Sequence, residues 1–245
     1  MSVLKSIVKT GLPTSLRMFL RARHRDYVFR RAMRRFVRHP EAAMVSDSNV
    51  ISDLIYGWGN EGWSAPKEFL IDCLRNALTC NGPILECGSG LTTILIGVIA
   101  QKCDNAMWSL EHLQEWGERV EKYLKRYRID SVRVSVGALK NYADYFWYDP
   151  PLDLIPDNFA LVICDGPPGD TRGGRYGLAP VLGDRLRPGC VILLDDAVRE
   201  DETEIAARWS VELCASYETI RSDRPFIRMA LLDRREEGPG SVKGT

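Results

Sequence analysis

Apolar residues along this chain fall into short continuous runs, separated by longer stretches with helical periodicity. Ile84-Leu85, Ala106 to Glu111, Val132 to Val136, Phe159 to Cys164 and Cys190 to Leu194 predict five strands. Helices Ile94 to Ala100, Glu115 to Tyr127, Leu178 to Leu186 and Glu202 to Trp209 are interleaved with them. Phe159 to Cys164 and Cys190 to Leu194 have no polar interruption, as strands covered on both faces do. Two later strands, Tyr217 to Ile220 and Phe226 to Leu232, flank the turn Asp223-Arg224-Pro225. This alternation predicts an α/β fold on a doubly wound sheet.

Upstream of the first strand the pattern is helical. Leu12, Leu16, Phe19 and Leu20 share one face, and Phe29, Met33, Phe36 and Val37 continue an apolar stripe. The expected organisation is an amphipathic helical extension over 1–45, a main domain over 46–234 and a disordered tail over 235–245, where Gly238-Pro239-Gly240 breaks any regular element. Asp53 to Ser64 reads as a loop in which Tyr56, Trp58 and Trp63 alternate with Gly57, Gly59 and Gly62. Ala65-Pro66-Lys67 then opens a helix running to Ala77. Asn141 to Pro156 reads as an aromatic, acidic loop, because Pro150 and Pro151 argue against a central strand.

A chain of 245 residues, 45% hydrophobic and 27% charged, can bury one substantial core and has the composition of a soluble globular protein. No apolar run reaches the length of a membrane span, and Arg17 interrupts the stretch that a secretory signal would need. Seven scattered cysteines without a Cys-x-x-Cys pair suit buried thiols in a reducing, cytoplasmic compartment. With three histidines and no cysteine cluster, a structural zinc site is not expected.

The net charge of zero hides an asymmetry. Residues 1–40 hold eleven Lys/Arg and a single acid, Asp26, so the other 205 residues carry the opposite excess of ten acids. A basic amphipathic segment has several readings: packing on its own domain or a second subunit, contact with a membrane surface, contact with nucleic acid, or a cleaved targeting peptide.

The chemistry concentrates in Glu86-Cys87-Gly88-Ser89-Gly90-Leu91-Thr92-Thr93. A strand ends in an acid, turns on two glycines and enters a helix that Thr92 and Thr93 can cap. Such a turn offers backbone N–H groups at a helix N-terminus, beside a bound nucleoside. The next strand ends at Glu111, 21 residues after Gly90, where a carboxylate can accept from both hydroxyls of a ribose.

With those residues the chain resembles the class I S-adenosylmethionine-dependent methyltransferases, over roughly Ile84 to Leu232. The resemblance implies a Rossmann-like seven-stranded sheet in the order 3-2-1-4-5-7-6 with its last strand antiparallel. It also implies S-adenosyl-L-methionine as cofactor, bound by Glu86, Gly88, Ser89, Gly90, Thr92, Glu111 and His112. Thr92 stands where the fuller family pattern has a third glycine, and His112 falls on the adenine side. The segment before the first strand often covers the cofactor in this family, so either Trp58 or Trp63 is a candidate roof or simply a core anchor.

Asp165 and the pair Asp195-Asp196 end two strands expected to be neighbours, so three carboxylates converge and need a positive partner. That arrangement resembles the metal-dependent catechol-type O-methyltransferases, which implies a divalent metal such as magnesium on Asp165, Asp195 and Asp196. The alternative is that Asp196 caps the next helix and Asp195 holds loop amides. Asp165 is the candidate catalytic residue, positioning or deprotonating the acceptor. The loop Thr171 to Gly177 carries Arg172 and Arg175, either to hold an anionic group of the substrate or as a solvated turn. The resulting expectation is O-methylation of a small-molecule or glycan-like acceptor. The alternatives are a nicotinamide-dependent oxidoreductase, and a non-catalytic scaffold that binds a membrane or partner through its N-terminal helix.

Overall fold

The chain divides between Lys67 and Glu68 into two units in a computed structural model that describes residues 13–60 and 65–232. A helix beyond residue 45 pairs with the first one. The first unit holds α1 (Thr14–Arg38), α2 (Pro40–Ala43) and α3 (Val50–Trp58). No glycine or proline interrupts α1, and Pro40 follows its end. Phe29, Ala32, Met33 and Phe36, spaced i, i+3, i+4 and i+7, are its buried residues.

Phe29 meets Trp58 with ring centroids 6.2 Å apart, and His24 Nδ1 lies 3.0 Å from the Tyr56 hydroxyl. Gly57 permits this approach: a Cβ there would lie 2.9 Å from the Phe29 backbone. Gly59, at φ +77°, ends α3 in the left-handed conformation. Part of the expected loop Asp53 to Ser64 is therefore helix, up to Trp58. Its turn-like glycine at 57 is a packing device. The expected apolar stripe on α1 also splits, since Leu16, Phe19, Leu20 and Val37 are exposed. Leu12, Trp63 and the tail 235–245 lie outside the described residues.

The second unit begins with α4 (Lys67–Thr79) and then alternates β1 (Ile84–Cys87), α5 (Leu91–Lys102), β2 (Met107–Glu111), α6 (Gln114–Tyr127) and β3 (Val132–Val136). A short antiparallel ribbon, β4 (Lys140–Asn141) and β5 (Phe146–Trp147), precedes β6 (Phe159–Cys164). Then come α7 (Leu178–Leu182), β7 (Leu186–Leu194), α8 (Glu200–Glu212), β8 (Ala215–Ile220) and β9 (Phe226–Leu231). Seven strands form one mixed sheet in the order β3-β2-β1-β6-β7-β9-β8. Counted without the ribbon, this is the expected order, with β9 antiparallel to both neighbours.

Two details differ from expectation. The ribbon occupies part of the expected loop 141–156, and its Trp147, with the adjoining Tyr148, is buried. β7 starts at Leu186, before Arg187-Pro188-Gly189, because Leu186 pairs with Phe159 across a register irregularity. The parallel order reverses between β1 and β6, so the crevice for a ligand opens at their carboxyl ends. Among the described residues no helix is long and apolar enough to cross a membrane.

Candidate active site

At the tip of β1 the backbone of Gly88 turns at φ +94°, and a Cβ on it would lie 3.0 Å from the Gly166 nitrogen. Gly88 and Gly166 thus let the exits of β1 and β6 touch. Gly90 differs. Its φ of −178° suits any residue, and the nearest atom to a Cβ there would be Thr92 Oγ1 at 3.8 Å. The absent side chain leaves open space above the turn, which a ligand can use.

Two carboxylates brace this turn. Glu86 is fully buried on β1, and its Oε2 accepts from Ser109 Oγ and Thr93 Oγ1, both at 2.6 Å. Thr93 Oγ1 also accepts from the Gly90 N–H at 2.7 Å, so it links the acid to the turn. Thr92 is buried in the first turn of α5. Glu86 Oε1 is buried without a partner. Burial pushes the Glu86 carboxyl up to about 7, against the opposing pull of its hydroxyl donors.

Glu111 ends β2 and is almost as deeply buried. Its Oε2 accepts from the Ser89 hydroxyl at 2.7 Å and the Ser89 N–H at 3.1 Å. Its Oε1 accepts from the N–H groups of His112 and Leu113 at 2.7 and 2.8 Å. Burial raises this acid, but the donors from His112, Ser89 and Leu113 outweigh it and hold Glu111 below its usual range. His112 Nδ1 lies 3.2 Å from Glu111 Oε1, and its ring meets Tyr148 edge-on at 6.3 Å. The Tyr148 hydroxyl is buried without a partner and sits against Gly166. Glu86, Gly88, Ser89, Gly90, Glu111 and His112 therefore gather around one turn, with Tyr148 added by the ribbon.

The acids of β6 and β7 also converge: one oxygen each of Asp165, Asp195 and Asp196 lie within 4.8 Å of one another. Their positive partner is Arg175, which is buried. It donates to the carbonyls of Asp195 at 2.6 Å and Asp165 at 3.0 Å, tying the two strand tips together. The same guanidinium lies 3.1 Å from Asp196 Oδ2, 3.4 Å from the buried Glu202 Oε1 and 3.5 Å from Asp165 Oδ1. Asp196 further takes Arg224 on Oδ1 at 2.6 Å and Arg199 on Oδ2 at 3.2 Å.

Burial raises Asp196, yet the Arg224 hydrogen bond and the charges of Arg175 and Arg199 bring it below its ordinary value. Asp165 and Asp195 go the other way, raised first by burial and then by their acidic neighbours. Asp195 Oδ1 is buried without a partner, while the Asp165 side chain keeps 25% exposure.

The residues at this cluster do not fit a divalent ion. Both Asp196 oxygens are held by guanidinium groups, and a cation bridging Asp165 and Asp195 would lie against Arg175. Nor does Asp196 cap α8 through its side chain, since its backbone carbonyl, not its carboxylate, receives the Arg199 N–H. The loop arginines are not free for substrate. Arg175 is buried among the acids, and Arg172 donates to Asn141 Oδ1 and the Ala143 carbonyl. Glu202 was not a candidate from the sequence, and Arg175 was one only as a substrate-holding or solvated loop arginine. The signal for Arg175 was the need of three converging carboxylates for a cation.

Both residues flanking Arg175 line a cleft of 590 Å³, together with Tyr145, Asp144, Asp201 and Glu204. Tyr145 stacks on Tyr142 at 5.2 Å and meets Tyr176 edge-on at 5.3 Å.

No protein-family model matches the sequence, and no curated protein matches it. Solved structures do match. The precorrin-6y C5,15-methyltransferase of Geobacter metallireducens superposes with a TM-score of 0.55 at 17% identity, over 71% of this chain and 92% of that one. An O-methyltransferase of Bacillus cereus in complex with SAH gives 0.52 at 14% identity, over 94% and 97%. The O-methyltransferase TomG of Streptomyces achromogenes, involved in tomaymycin synthesis and solved with SAM, gives 0.51 at 15%, over 70% and 82%. At such identities the likeness is one of fold, and the chain has the class I methyltransferase fold.

Proposed function

We propose that this chain is an S-adenosylmethionine-dependent methyltransferase acting on a hydroxyl of a small-molecule or glycan-like acceptor. The observation that carries the reading is the unpartnered buried oxygen of Glu86 beside a glycine turn braced by Glu111. Glu86 Oε1 suits an ammonium group, and the open space at Gly90 suits a ligand pressed against the backbone. Ser89 Oγ on Glu111 Oε2 is a contact that a sugar hydroxyl can replace. His112 and Tyr148 supply aromatic surface and a free hydroxyl next to these groups. When bound, S-adenosylmethionine supplies a methyl group activated by a sulfonium leaving group.

The protein's remaining task is to align the acceptor and receive its proton. Asp165 is the carboxylate of its cluster with both partial exposure and a raised proton affinity. It takes the acceptor hydroxyl's proton at a carboxylate oxygen, while Arg175 holds Asp165 and Asp195 in place without a divalent ion. The cleft with Tyr145 and Tyr176 suits the acceptor. On its walls Asp144, Asp201 and Glu204 can accept from hydroxyls.

Calorimetric titration with S-adenosylhomocysteine tests the cofactor half. Micromolar binding that disappears in Glu111→Ala supports the reading. Absence of binding by folded protein removes it and revives the scaffold alternative.

A further inference from the structure

We propose that the outward face of α1 docks on an anionic lipid surface. The buried residues of α1 are Phe29, Ala32, Met33 and Phe36. With 3.6 residues per turn, Leu16, Phe19, Leu20 and Tyr27 lie off the buried face, Phe19 on the flank and the other three on the far side of the helix. They are 40%, 59%, 45% and 56% exposed. The contacts with α3 are made by the opposite face, so among the described residues of the helical unit this stripe is left exposed. Every residue from 13 to 20 is exposed. Arg23, Arg31 and Arg34, also exposed, fall on the same side, one inside the stripe and two continuing it.

The chemistry of the face selects its partner. Apolar side chains interleaved with arginines suit a bilayer interface, where rings and leucines enter the acyl boundary and guanidinium groups meet phosphates. A second copy of the same face does not suit it. A two-fold contact pairs this patch with its own copy, so two positively charged faces would meet. Asp26, the one acid of α1, is already paired with Arg30. Charge orients the whole chain as well. Residues 1–40 carry ten excess positive charges and the rest ten excess negative ones, so an anionic surface attracts this end and repels the remainder.

The test is cosedimentation of the full chain with vesicles of phosphatidylcholine and phosphatidylglycerol, against vesicles of phosphatidylcholine alone. The expected result is pelleting with the anionic vesicles only, weakened by added salt. The double variant Phe19→Asp, Leu20→Asp should lower the bound fraction about tenfold. Its circular dichroism and thermal unfolding should match the wild type, because both side chains are exposed. Arg23→Gln with Arg34→Gln should weaken anionic binding with the apolar stripe intact. Four results would each overturn the proposal: no pelleting, equal pelleting with neutral vesicles, a wild-type dimer that Phe19→Asp, Leu20→Asp makes monomeric, or an RNA mobility shift without vesicle binding.

Discussion

Glu86→Gln separates the charge of the buried acid from its shape. The side-chain oxygen of glutamine can take the place of Oε2 between Ser109 and Thr93, so the hydroxyl contacts survive. What disappears is titration. The wild-type carboxyl rises from 4.5 to about 7 because burial disfavours its ionised form. The folded state therefore holds the proton more tightly than the unfolded chain. Stability from this source is complete below pH 4.5 and is lost as pH rises through 7.

At about 1.4 kcal/mol per pH unit, the loss amounts to about 2.5 kcal/mol between about pH 5 and about pH 8. The glutamine variant escapes this loss, so its stability advantage should grow by that amount across the same interval. For a chain of this size the corresponding change in melting temperature is about 5 to 10 °C. Urea unfolding of both proteins across the pH series measures it. Parallel stability curves for the two would refute the assignment of a buried, proton-holding Glu86.

Arg175→Met should cost about 3–5 kcal/mol in urea unfolding, because it leaves buried acids without their cation. Manganese paramagnetic resonance on the wild type should detect no ion at the acid cluster, and chelator should leave S-adenosylhomocysteine affinity unchanged; stoichiometric manganese lost in Asp195→Asn would contradict the arginine-filled cluster. Gly88→Ala should lower stability by about 1–3 kcal/mol, since φ +94° strains an alanine and its Cβ presses on Gly166.

The centre of the sheet was legible because β1, β2, β6 and the second half of β7 are short, nearly continuous apolar runs, and a single pattern of acid, glycine and helix start marked the edge of the crevice. Glu111 could be found for the same reason, at the end of a run and at a βαβ distance from the turn. The strand order rested on the family resemblance, which the topology bears out. The role of Arg175 among the acids was hidden, because its glycine-rich stretch reads as a substrate-holding or solvated loop and its partners lie up to 27 residues away, at Glu202. Linear spacing carries no record of which cation a cluster of acids will draw in. α3 was hidden for a different reason: Gly57 looks like a turn residue, yet it is small because Phe29 comes close to its backbone. The ribbon strands, two residues each, are shorter than any periodicity can register.

A crystal structure of the chain with S-adenosylhomocysteine tests the central claim most directly. The account predicts the nucleoside over the Gly88 to Gly90 turn, its ribose hydroxyls on Glu111 and its ammonium group against Glu86 Oε1. A ligand bound elsewhere, with Ser89 still closed on Glu111 and Glu86 Oε1 still unpartnered, would contradict it.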